Sequence, residues 1–423
     1  MRWLERWREH KVAAAVFLLG ALLVAGDLAR WWLQRPRQIQ AYEARPDWSA
    51  PNRGAIDFSG FTFRDRNRDG RYDLGDLPMA WVLIEATAPD GARHRERSNL
   101  SGFANFPMSL TRRPGWIRKP GEYRFAAAVP PGWAVTSGNA NQSVRFAELP
   151  GAPADLVATN PSQPVGLAPE LVITGRLATR AADGALMPAP RATLAAFDPQ
   201  GASIPVVVGG DATFRLAARP GGWRLVAALP GTAPCQRQVE VRDVPVRLAA
   251  LVLGETPPPP AGERRTIDFE SVTQAPVMKV PNGFAGLDWF YLNAIDAVFA
   301  DAEGYVNTLS SGRYVGYSSS GHPVTISRPG GFDFYGGYFG AAMPAAEGET
   351  LRVAAWRRGT LVGEEDLKLS CLGAVFFDAD YRGVDRVTLT TLHYWQFATD
   401  DLEIGVPAAP AAPPPIAPPQ SSP

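Results

Sequence analysis

Apolar and polar residues alternate in short runs along most of this chain, which is the pattern of strands with one face in a core. Residues 59–63, 81–86 and 192–197 are clear instances. Turn residues separate the runs, and 41 glycines and 40 prolines occur in 423 residues. The pattern therefore predicts an all-β protein. The length favours two or three domains.

One segment near the start of the chain departs from this pattern. Residues 12–26 are an unbroken apolar run, and Trp31 and Trp32 follow it as residues at a membrane interface do. A cleaved signal peptide is the alternative, because residues 24–26 are small enough for a cleavage site. We favour a retained single transmembrane helix. The predicted parts are a cytoplasmic stub (1–11), a transmembrane anchor (12–33) and a polar tether (34–54).

Residues 65–76 carry oxygen-bearing side chains at positions 1, 3, 5, 9 and 12 of a twelve-residue loop, with Gly70 at position 6. This is the spacing of a calcium-binding loop, in which the glycine permits a sharp turn. The predicted ligands are Asp65, Asn67, Asp69, the carbonyl of Arg71, Asp73 and Asp76. Because strand-like segments flank the loop, we expect a β-domain that binds calcium. The alternative is an acidic surface turn that binds no metal.

A second segment repeats the first without this loop. The motif at residues 120–132 recurs at residues 220–231. Upstream, Gly60 and Pro78 of the first copy are 18 residues apart, whereas the corresponding Gly175 and Pro188 of the second copy are 13 residues apart. The residues missing from the second copy fall where the first copy has its predicted calcium loop. We therefore predict two tandem sandwiches of which only the first binds calcium. Their predicted bounds are residues 55–167 and 168–255.

The last part of the chain is rich in aromatic residues. It spans residues 263–405, between a Pro-rich linker (256–262) and a Pro/Ala-rich tail (406–423) predicted to be disordered. Aromatic rings that contact a glycan would pack on the apolar faces of its sugars. The candidate ligand-binding residues are Trp289, Tyr291, Tyr335, Tyr338 and Trp356. The alternative is that these rings pack the core.

Three acidic residues stand near the two ends of this last domain. Asp268 and Glu270 lie in its first predicted strand and Asp401 in its last. By position they form a possible second metal site that joins the two strands. The alternative is that they are solvated carboxylates at strand ends.

Three resemblances attach to these motifs. Residues 60–78, with residues 101–106 after them, resemble the B-type repeat of bacterial SD-repeat surface proteins over about residues 55–165. That resemblance implies a calcium-stiffened, immunoglobulin-like spacer without catalysis. Residues 192–197 and 211–216 resemble the transthyretin-like regulatory sandwich found beside carboxypeptidases, over about residues 168–253. That family is mostly a scaffold.

The third resemblance covers about residues 263–405. Residues 267–270, 283–289, 332–339 and 397–404 occur in the order of the jelly-roll domain of exported, matrix-associated bacterial proteins. That domain is similar to carbohydrate-binding modules. The implied architecture is two tandem immunoglobulin- or transthyretin-like sandwiches, followed by a C-terminal jelly-roll.

Composition and motifs mainly exclude certain classes of function. Lys and Arg number 42, as do Asp and Glu, so no global charge favours nucleic acid. Cys235 and Cys371 fall in different predicted domains, and no disulfide framework is expected. His94, His322 and His393 are isolated and lack the spacing of a zinc site. We therefore predict a protein that is not an enzyme.

These observations lead to one prediction of function. We expect a single-pass protein of the bacterial inner membrane, with its bulk in the periplasm or outside the cell, where calcium is abundant. Its calcium-stabilised stalk would present a jelly-roll that binds cell-envelope or extracellular polysaccharide. The alternative is a protein–protein scaffold or adhesin subunit of an envelope assembly, with an envelope protein as partner. A glycan-active enzyme is a distant third.

Overall fold

The structure, a computed structural model, describes residues 22, 24–26, 57–109, 114–149, 152–299 and 302–407. The predicted stub and tether, and nearly all of the predicted anchor (12–33) and tail (406–423), lie outside these residues. No helix in the described part of the chain has the length and apolar character that a membrane span requires. Between residues 57 and 407 the regular secondary structure of the described chain is almost entirely β-strand, as the alternating pattern predicts.

The first sandwich consists of two five-stranded sheets that face each other. Its strands are β1 (Asp57–Arg64), β2 (Leu77–Pro78), β3 (Leu83–Thr87), β4 (Arg93–Arg97), β5 (Phe103–Pro107), β6 (Gly121–Ala127), β7 (Trp133–Val135), β8 (Asn141–Leu149), β9 (Ala152–Ala158) and β10 (Val165–Pro169). One sheet has the order β2-β1-β10-β7, with β5 also on β1, and the other has the order β4-β3-β6-β8-β9. Strand β10 runs parallel to β1, and β5 runs antiparallel to it.

Side-chain alternation builds the core of the first sandwich. In β6 the rings of Tyr123 and Phe125 point inward, whereas Glu122 and Arg124 are more exposed. Phe125 lies 4.8 Å from Phe58 of the opposite sheet, measured between ring centroids. Burial of these large rings is the main contribution to the stability of this unit.

The second sandwich repeats the central pairings of the first with nine strands. Its strands are β11 (Val172–Arg180), β12 (Leu186–Pro188), β13 (Thr193–Phe197), β14 (Ser203–Val206), β15 (Thr213–Ala217), β16 (Gly221–Ala228), β17 (Cys235–Val241), β18 (Val246–Leu248) and β19 (Leu251–Leu253). Strand β11 pairs with β12 and β15, and runs parallel to β18 and β19, as β1 pairs with β2, β5 and β10. Where the first copy has residues 65–76, the second has a short turn closed by a bond from the Ala181 N–H to the Ala185 carbonyl.

The third unit is built around two long antiparallel strands. Its elements are β20 (Arg264–Ile267), β21 (Val277–Lys279), β22 (Asp288–Phe290), β23 (Leu292–Asp296), helix α1 (Glu303–Thr308), β24 (Tyr314–Ser318), β25 (Val324–Ala341), β26 (Thr350–Arg357), β27 (Thr360–Lys368), β28 (Val375–Thr391) and β29 (Phe397–Gly405). Strand β25 pairs with β28 on one side and with β29 on the other. Phe332, Phe334, Phe339 and Phe377 are fully buried in the core between these strands.

A shared sheet joins the second sandwich to the third unit. Strand β18 runs parallel to β28, with Val246 opposite Phe376 and Leu248 opposite Asp378. One fifteen-stranded sheet therefore continues from β11 and β12 to the strands of the third unit. The third unit is not held away from the second sandwich by residues 256–262, although these residues lie between them in the chain.

Candidate functional site

The predicted calcium loop connects β1 to β2 and begins and ends with buried carboxylates. Asp65 and Asp76 are each 1% exposed. Asp65 accepts hydrogen bonds from the Arg68 N–H (2.6 Å) and the Gly70 N–H (2.8 Å). Asp76 accepts bonds from the N–H groups of Arg66 (2.9 Å) and Asp73 (3.0 Å). The two carboxylates thus hold the loop closed from its two ends.

The other predicted ligands lie along the exposed part of the loop. Asn67 Oδ1 accepts a bond from the Asp69 N–H at 3.0 Å, and Asp69 Oδ1 accepts one from the Arg71 N–H at 2.8 Å. Gly70 has φ of 78°, and a Cβ at this position would lie 2.8 Å from the Thr136 carbonyl oxygen. Glycine is therefore needed here both for the backbone conformation and for space.

The charge on this loop fits a cation. Burial, together with the charges of Asp65 and Asp73, raises the pKa of Asp76 to about 6. Each carboxylate oxygen that accepts a backbone bond keeps a second lone pair for another partner. The donor set is all oxygen, as calcium requires. In the described part of the chain, no group of three or more His, Cys, Asp or Glu side chains is already arranged around a metal position.

The predicted calcium loop also contacts the other two units. Arg66 donates from Nε to Asp243 of the second sandwich (2.6 Å) and from Nη1 to the Ser310 carbonyl of the third unit (3.2 Å). The preceding Arg64, which is fully buried, donates to the carbonyls of Asn307 (2.9 Å) and Leu309 (2.7 Å). The loop therefore lies where all three units meet.

The residues of the possible second metal site gather around one turn of the third unit. Glu270 Oε1 accepts bonds from the N–H groups of Arg313 and Tyr314 (2.5 and 2.6 Å). Asp401 accepts a bond from the Ser311 hydroxyl at 2.6 Å, and Asp268 accepts one from the Glu270 N–H at 3.2 Å. Glu270 and Asp401 thus both bind residues 311–314, whereas Asp268 is exposed.

The two tryptophans among the five predicted glycan-contacting residues make contacts within the fold. Trp289 is 1% exposed, and its Nε1 donates to the Phe284 carbonyl at 2.8 Å. Trp356 is half-buried, with the Arg386 guanidinium carbon 4.5 Å from its ring centroid. The Trp289 ring therefore belongs to the core, and one face of the Trp356 ring is covered by a cation.

Tyr335 and Tyr338 line a cavity of about 430 Å³ between β17 and the third unit. The Arg264 guanidinium carbon lies 4.7 Å from the Tyr335 ring centroid. Arg242 donates to the Tyr338 hydroxyl at 3.4 Å. Both tyrosines are buried, at 7% and 2% exposed, so only the edges of their rings are available to a molecule in this cavity.

Tyr291 is the predicted residue that the structure leaves at the surface. It is 40% exposed, and its neighbour Phe290 is 53% exposed. Ring centroids are 4.4 Å apart between Tyr291 and Phe290, and 4.7 Å apart between Tyr291 and His322. Tyr291 also has φ of 58°, a conformation that is strained for a bulky residue.

A second aromatic pair stands on the adjacent turn, which joins β28 to β29. Tyr394 and Trp395 are 67% and 39% exposed. This turn packs against the turn that carries His322, because a Cβ at Gly321 would lie 1.6 Å from the Tyr394 carbonyl oxygen. Tyr394 has φ of 59°, so it shares the strained conformation of Tyr291. We call the surface formed by Phe290, Tyr291, His322, Tyr394 and Trp395 the aromatic face.

A buried carboxylate fixes the second turn of the aromatic face. Glu349, 5% exposed, accepts bonds from the His393 N–H (3.2 Å) and contacts His393 Nδ1 at 3.1 Å. Burial alone would raise the pKa of Glu349, but hydrogen bonds from Thr350 and His393 hold that pKa below its ordinary value. Glu349 is therefore a positioning residue for Tyr394 and Trp395.

Sequence reasoning found Tyr291 but missed the rest of the aromatic face. Phe290, Tyr394 and Trp395 are not among the ligand-binding residues that the sequence predicts. One signal could have pointed to them. Residues 392–395 place four large or aromatic side chains together in a short connection between strands, where polar turn residues are the rule.

Comparisons with known proteins add little to this picture. No protein-family model and no curated protein sequence matches the chain. Among solved structures it is similar to the Bacillus anthracis TIE protein, with 9% identity over 47% of this chain and 35% of that chain (TM-score 0.19). It is also similar to the shaft pilin SpaA from Lactobacillus rhamnosus GG, with 10% identity over 48% of this chain and 100% of that chain (TM-score 0.19). A third similarity is to the CBM51-2 and INT domains of Clostridium perfringens ZmpB, with 10% identity over 45% of this chain and 38% of that chain (TM-score 0.21). Similarities of this strength carry no argument about function.

Proposed function

We propose that this protein binds a cell-envelope or extracellular polysaccharide through the aromatic face, without catalysing a reaction. The observation that carries the proposal is the clustering of five exposed aromatic side chains on three turns at one end of the third unit. Exposed rings grouped in this way mark an interaction surface. Tyr, Trp and His each join an apolar ring face to a polar edge, which complements a sugar with C–H faces and hydroxyl groups.

The backbone of the aromatic face supports the same proposal. Tyr291 and Tyr394 are both held at positive φ, at a cost of about 1–3 kcal/mol each. Such strain persists only where the surrounding contacts impose it, and it is concentrated at functional sites. Here the strained backbone directs the rings of Tyr291 and Tyr394 toward solvent, although burial of either ring would be favourable.

A structural role for calcium completes this proposal. The side chains of Asp65, Asn67, Asp69, Asp73 and Asp76, with the Arg71 carbonyl, would hold the ion in the loop between β1 and β2. A bound calcium would neutralise the buried carboxylates at the ends of the loop. It would thereby stiffen the junction of the three units, which Arg64 and Arg66 form. Because calcium is abundant outside the cytoplasm, the proposal places the described units in the periplasm or outside the cell, with residues 12–33 as the membrane anchor.

A second candidate function is a protein–protein scaffold in an envelope assembly. The observation that favours it is strand β21, which lies at the edge of the fifteen-stranded sheet. Its residues Val277 and Met278 are 37% and 45% exposed. A sheet edge with exposed apolar side chains can pair with a strand of another protein.

Affinity electrophoresis in native gels that contain soluble polysaccharides tests the proposed function. We expect the purified full chain to be retarded by at least one acidic or neutral polysaccharide. Tyr394→Ala and Trp395→Ala should each weaken binding about tenfold, which corresponds to about 1.4 kcal/mol. Val207→Ala, which removes an exposed apolar side chain from the second sandwich, is the matched control. Equal retardation of all variants would contradict the proposal and favour the scaffold.

A further inference from the structure

A second cavity, of about 640 Å³, lies between the second sandwich and the third unit, away from the aromatic face. Its walls come from strands β17 and β19, residues 255–258, the hairpin of β26 and β27, and the middle of β28. Ligand pockets in proteins commonly have volumes of 300–1,000 Å³. This cavity is therefore large enough for a small organic molecule such as a disaccharide.

The lining of this cavity is positively charged. Five arginines and three acidic residues line it: Arg180, Arg237, Arg357, Arg358 and Arg382, with Glu255, Glu365 and Asp380. The acidic residues are already paired. Glu255 binds Arg180, and Asp380 binds both Arg382 and Arg237. Glu365 is shared by two arginines outside the lining, Arg176 and Arg247.

Two guanidinium groups in the lining have no carboxylate partner among the described residues. Arg357 donates to the backbone carbonyls of Gly383 (3.2 Å) and Arg382 (2.5 Å). The exposed Arg358 side chain has no hydrogen-bond or ion-pair partner in that part of the chain. The Arg358 guanidinium can therefore bind a carboxylate through two parallel hydrogen bonds, whereas Arg357, whose Nε and Nη2 already donate, keeps Nη1 for a further acceptor.

Tyr381 lines the cavity and is 6% exposed. Its hydroxyl is buried beside the cavity and makes no hydrogen bond within the described part of the chain. Burial, with the nearby charge of Glu365, raises the pKa of Tyr381, so this hydroxyl stays protonated at neutral pH and can donate. An unsatisfied buried hydroxyl is unfavourable, and a polar group of a bound molecule would relieve it.

The remaining wall of the cavity is apolar. Leu251, Val252, Leu361 and Val362 line it, together with Pro257. Within the described part of the chain, the cavity thus combines an apolar wall, two guanidiniums without a carboxylate partner and a tyrosine whose hydroxyl has no hydrogen bond. Arg358 has φ of 50° because it is the first residue of the two-residue turn between β26 and β27. That turn carries the Arg358 side chain at one end of the cavity.

We propose that this cavity is a second binding site, which accepts a sugar unit bearing a carboxylate, that is, a uronic acid. The carboxylate binds Arg358 and Arg357, the C–H face of the ring packs on Leu361 and Val362, and a ring hydroxyl binds the Tyr381 hydroxyl. The proposal goes beyond the polysaccharide binding assigned to the aromatic face. It stands whether or not that face binds a glycan.

Isothermal titration calorimetry of the full chain with digalacturonate tests this proposal. We expect binding that weakens as the salt concentration rises, and no comparable binding of the corresponding neutral digalactoside. Arg358→Ala should weaken digalacturonate binding at least tenfold. Arg191→Ala, which removes an exposed arginine outside the cavity, is the matched control and should leave the affinity unchanged.

Tyr381→Phe separates binding from folding. Because the hydroxyl has no hydrogen-bond partner among the residues that the structure describes, its removal should leave the melting temperature unchanged or slightly higher, while it weakens digalacturonate binding three- to tenfold. Tyr394→Ala, on the aromatic face, should not change this binding. The proposal is overturned if digalacturonate does not bind, or if Arg358→Ala and Tyr381→Phe bind it as the wild type does. Equal affinity for the digalactoside would exclude the role of the carboxylate, and equal affinity for hexanoate would exclude a sugar.

Discussion

Arg66, in the loop between β1 and β2, donates from Nε to the Asp243 carboxylate of the second sandwich at 2.6 Å. The backbone N–H of the same residue donates to Asp76 Oδ1, inside the predicted calcium loop, at 2.9 Å. One residue thus connects the loop to the neighbouring unit. Any change that disorders the loop should therefore also weaken the contact between the two sandwiches.

Asp243 compensates the charge of the buried Arg64, so its replacement should be destabilising. Burial alone would raise the pKa of Asp243, but the charges of Arg64 and Arg66 hold that pKa below its ordinary value. Asp243→Asn should lower the free energy of unfolding by about 1–3 kcal/mol, because Arg66 loses its hydrogen-bonded carboxylate and the buried Arg64 loses a nearby negative charge. Urea unfolding at pH 7 measures this. Asp288→Asn, at an exposed position, should change stability by less than about 0.5 kcal/mol.

The charge of Asp243 also predicts that the free energy of unfolding depends on pH in the acid range. Because the pKa of Asp243 is lower in the folded than in the unfolded protein, its ionised form stabilises the fold at neutral pH. This contribution is lost as the pH falls through the folded pKa. The difference in unfolding free energy between wild type and Asp243→Asn should therefore narrow below about pH 4. A difference that stays constant from pH 7 to pH 3 would contradict the assigned charge.

Calcium should stabilise the protein through the loop of residues 65–76. At a calcium concentration one hundred times the dissociation constant, linkage predicts a gain of about 2.7 kcal/mol. Thermal melts in calcium and in chelator should therefore differ for the wild type. Asp69→Ala should abolish the difference, because it removes a ligand from the exposed part of the loop. Asp183→Ala, in the corresponding turn of the second sandwich, is the matched control and should retain it.

Calcium affinity should fall in mild acid because of Asp76. With its pKa raised to about 6, Asp76 is ionised at pH 7.5 and mostly protonated at pH 5. Protons then compete with calcium, and affinity should fall by up to tenfold for each pH unit below about 6. Without calcium, the protonation of Asp76 acts on the stability of the fold, and its effect there is favourable. The raised pKa means that protonated Asp76 favours the fold, and this contribution is lost as the pH rises through about 6.

Calorimetric titrations at pH 7.5, 6.0 and 5.0 measure the effect of Asp76 on calcium binding. Asp76→Asn should bind calcium weakly at every pH, and without calcium its stability should lack the change near pH 6. An affinity for calcium that is the same at pH 7.5 and pH 5.0 would show that Asp76 is not a ligand.

Substitutions of Trp289 and Tyr394 should have opposite effects on stability and on polysaccharide binding. Trp289→Phe removes a buried ring edge and its hydrogen bond to the Phe284 carbonyl, so it should cost about 1–3 kcal/mol of stability and leave polysaccharide binding intact. Tyr394→Ala should leave stability nearly unchanged and weaken that binding. Denaturant unfolding and native affinity gels, run on both variants, measure the two effects. Loss of polysaccharide binding in Trp289→Phe without loss of stability would place Trp289 at the ligand instead.

The features that could be predicted from the sequence are those encoded by neighbouring residues. The alternation in residues such as Glu122 and Tyr123 predicts the strands, because side chains of a strand point to opposite faces. The spacing from Asp65 to Asp76 predicts a calcium-binding loop between two strands. The structure has a loop between β1 and β2 there, with both end carboxylates buried, and calcium binding itself stays a prediction. The tandem repeat is present in the pairing of β11 as in that of β1.

Only the tertiary structure decided how these elements meet. The pairing of β18 with β28 joins two units that a Pro-rich segment separates in the chain. No local sequence pattern predicts this pairing, because a free sheet edge can pair with many different strands. Tyr291 and Tyr394 belong to one surface although about a hundred residues separate them. Trp289, equally aromatic and two residues from Tyr291, lies in the core. The sequence by itself determined the strands, the loop and the repeat. Long-range packing alone decided which rings face solvent, where the arginines converge and what each surface can bind.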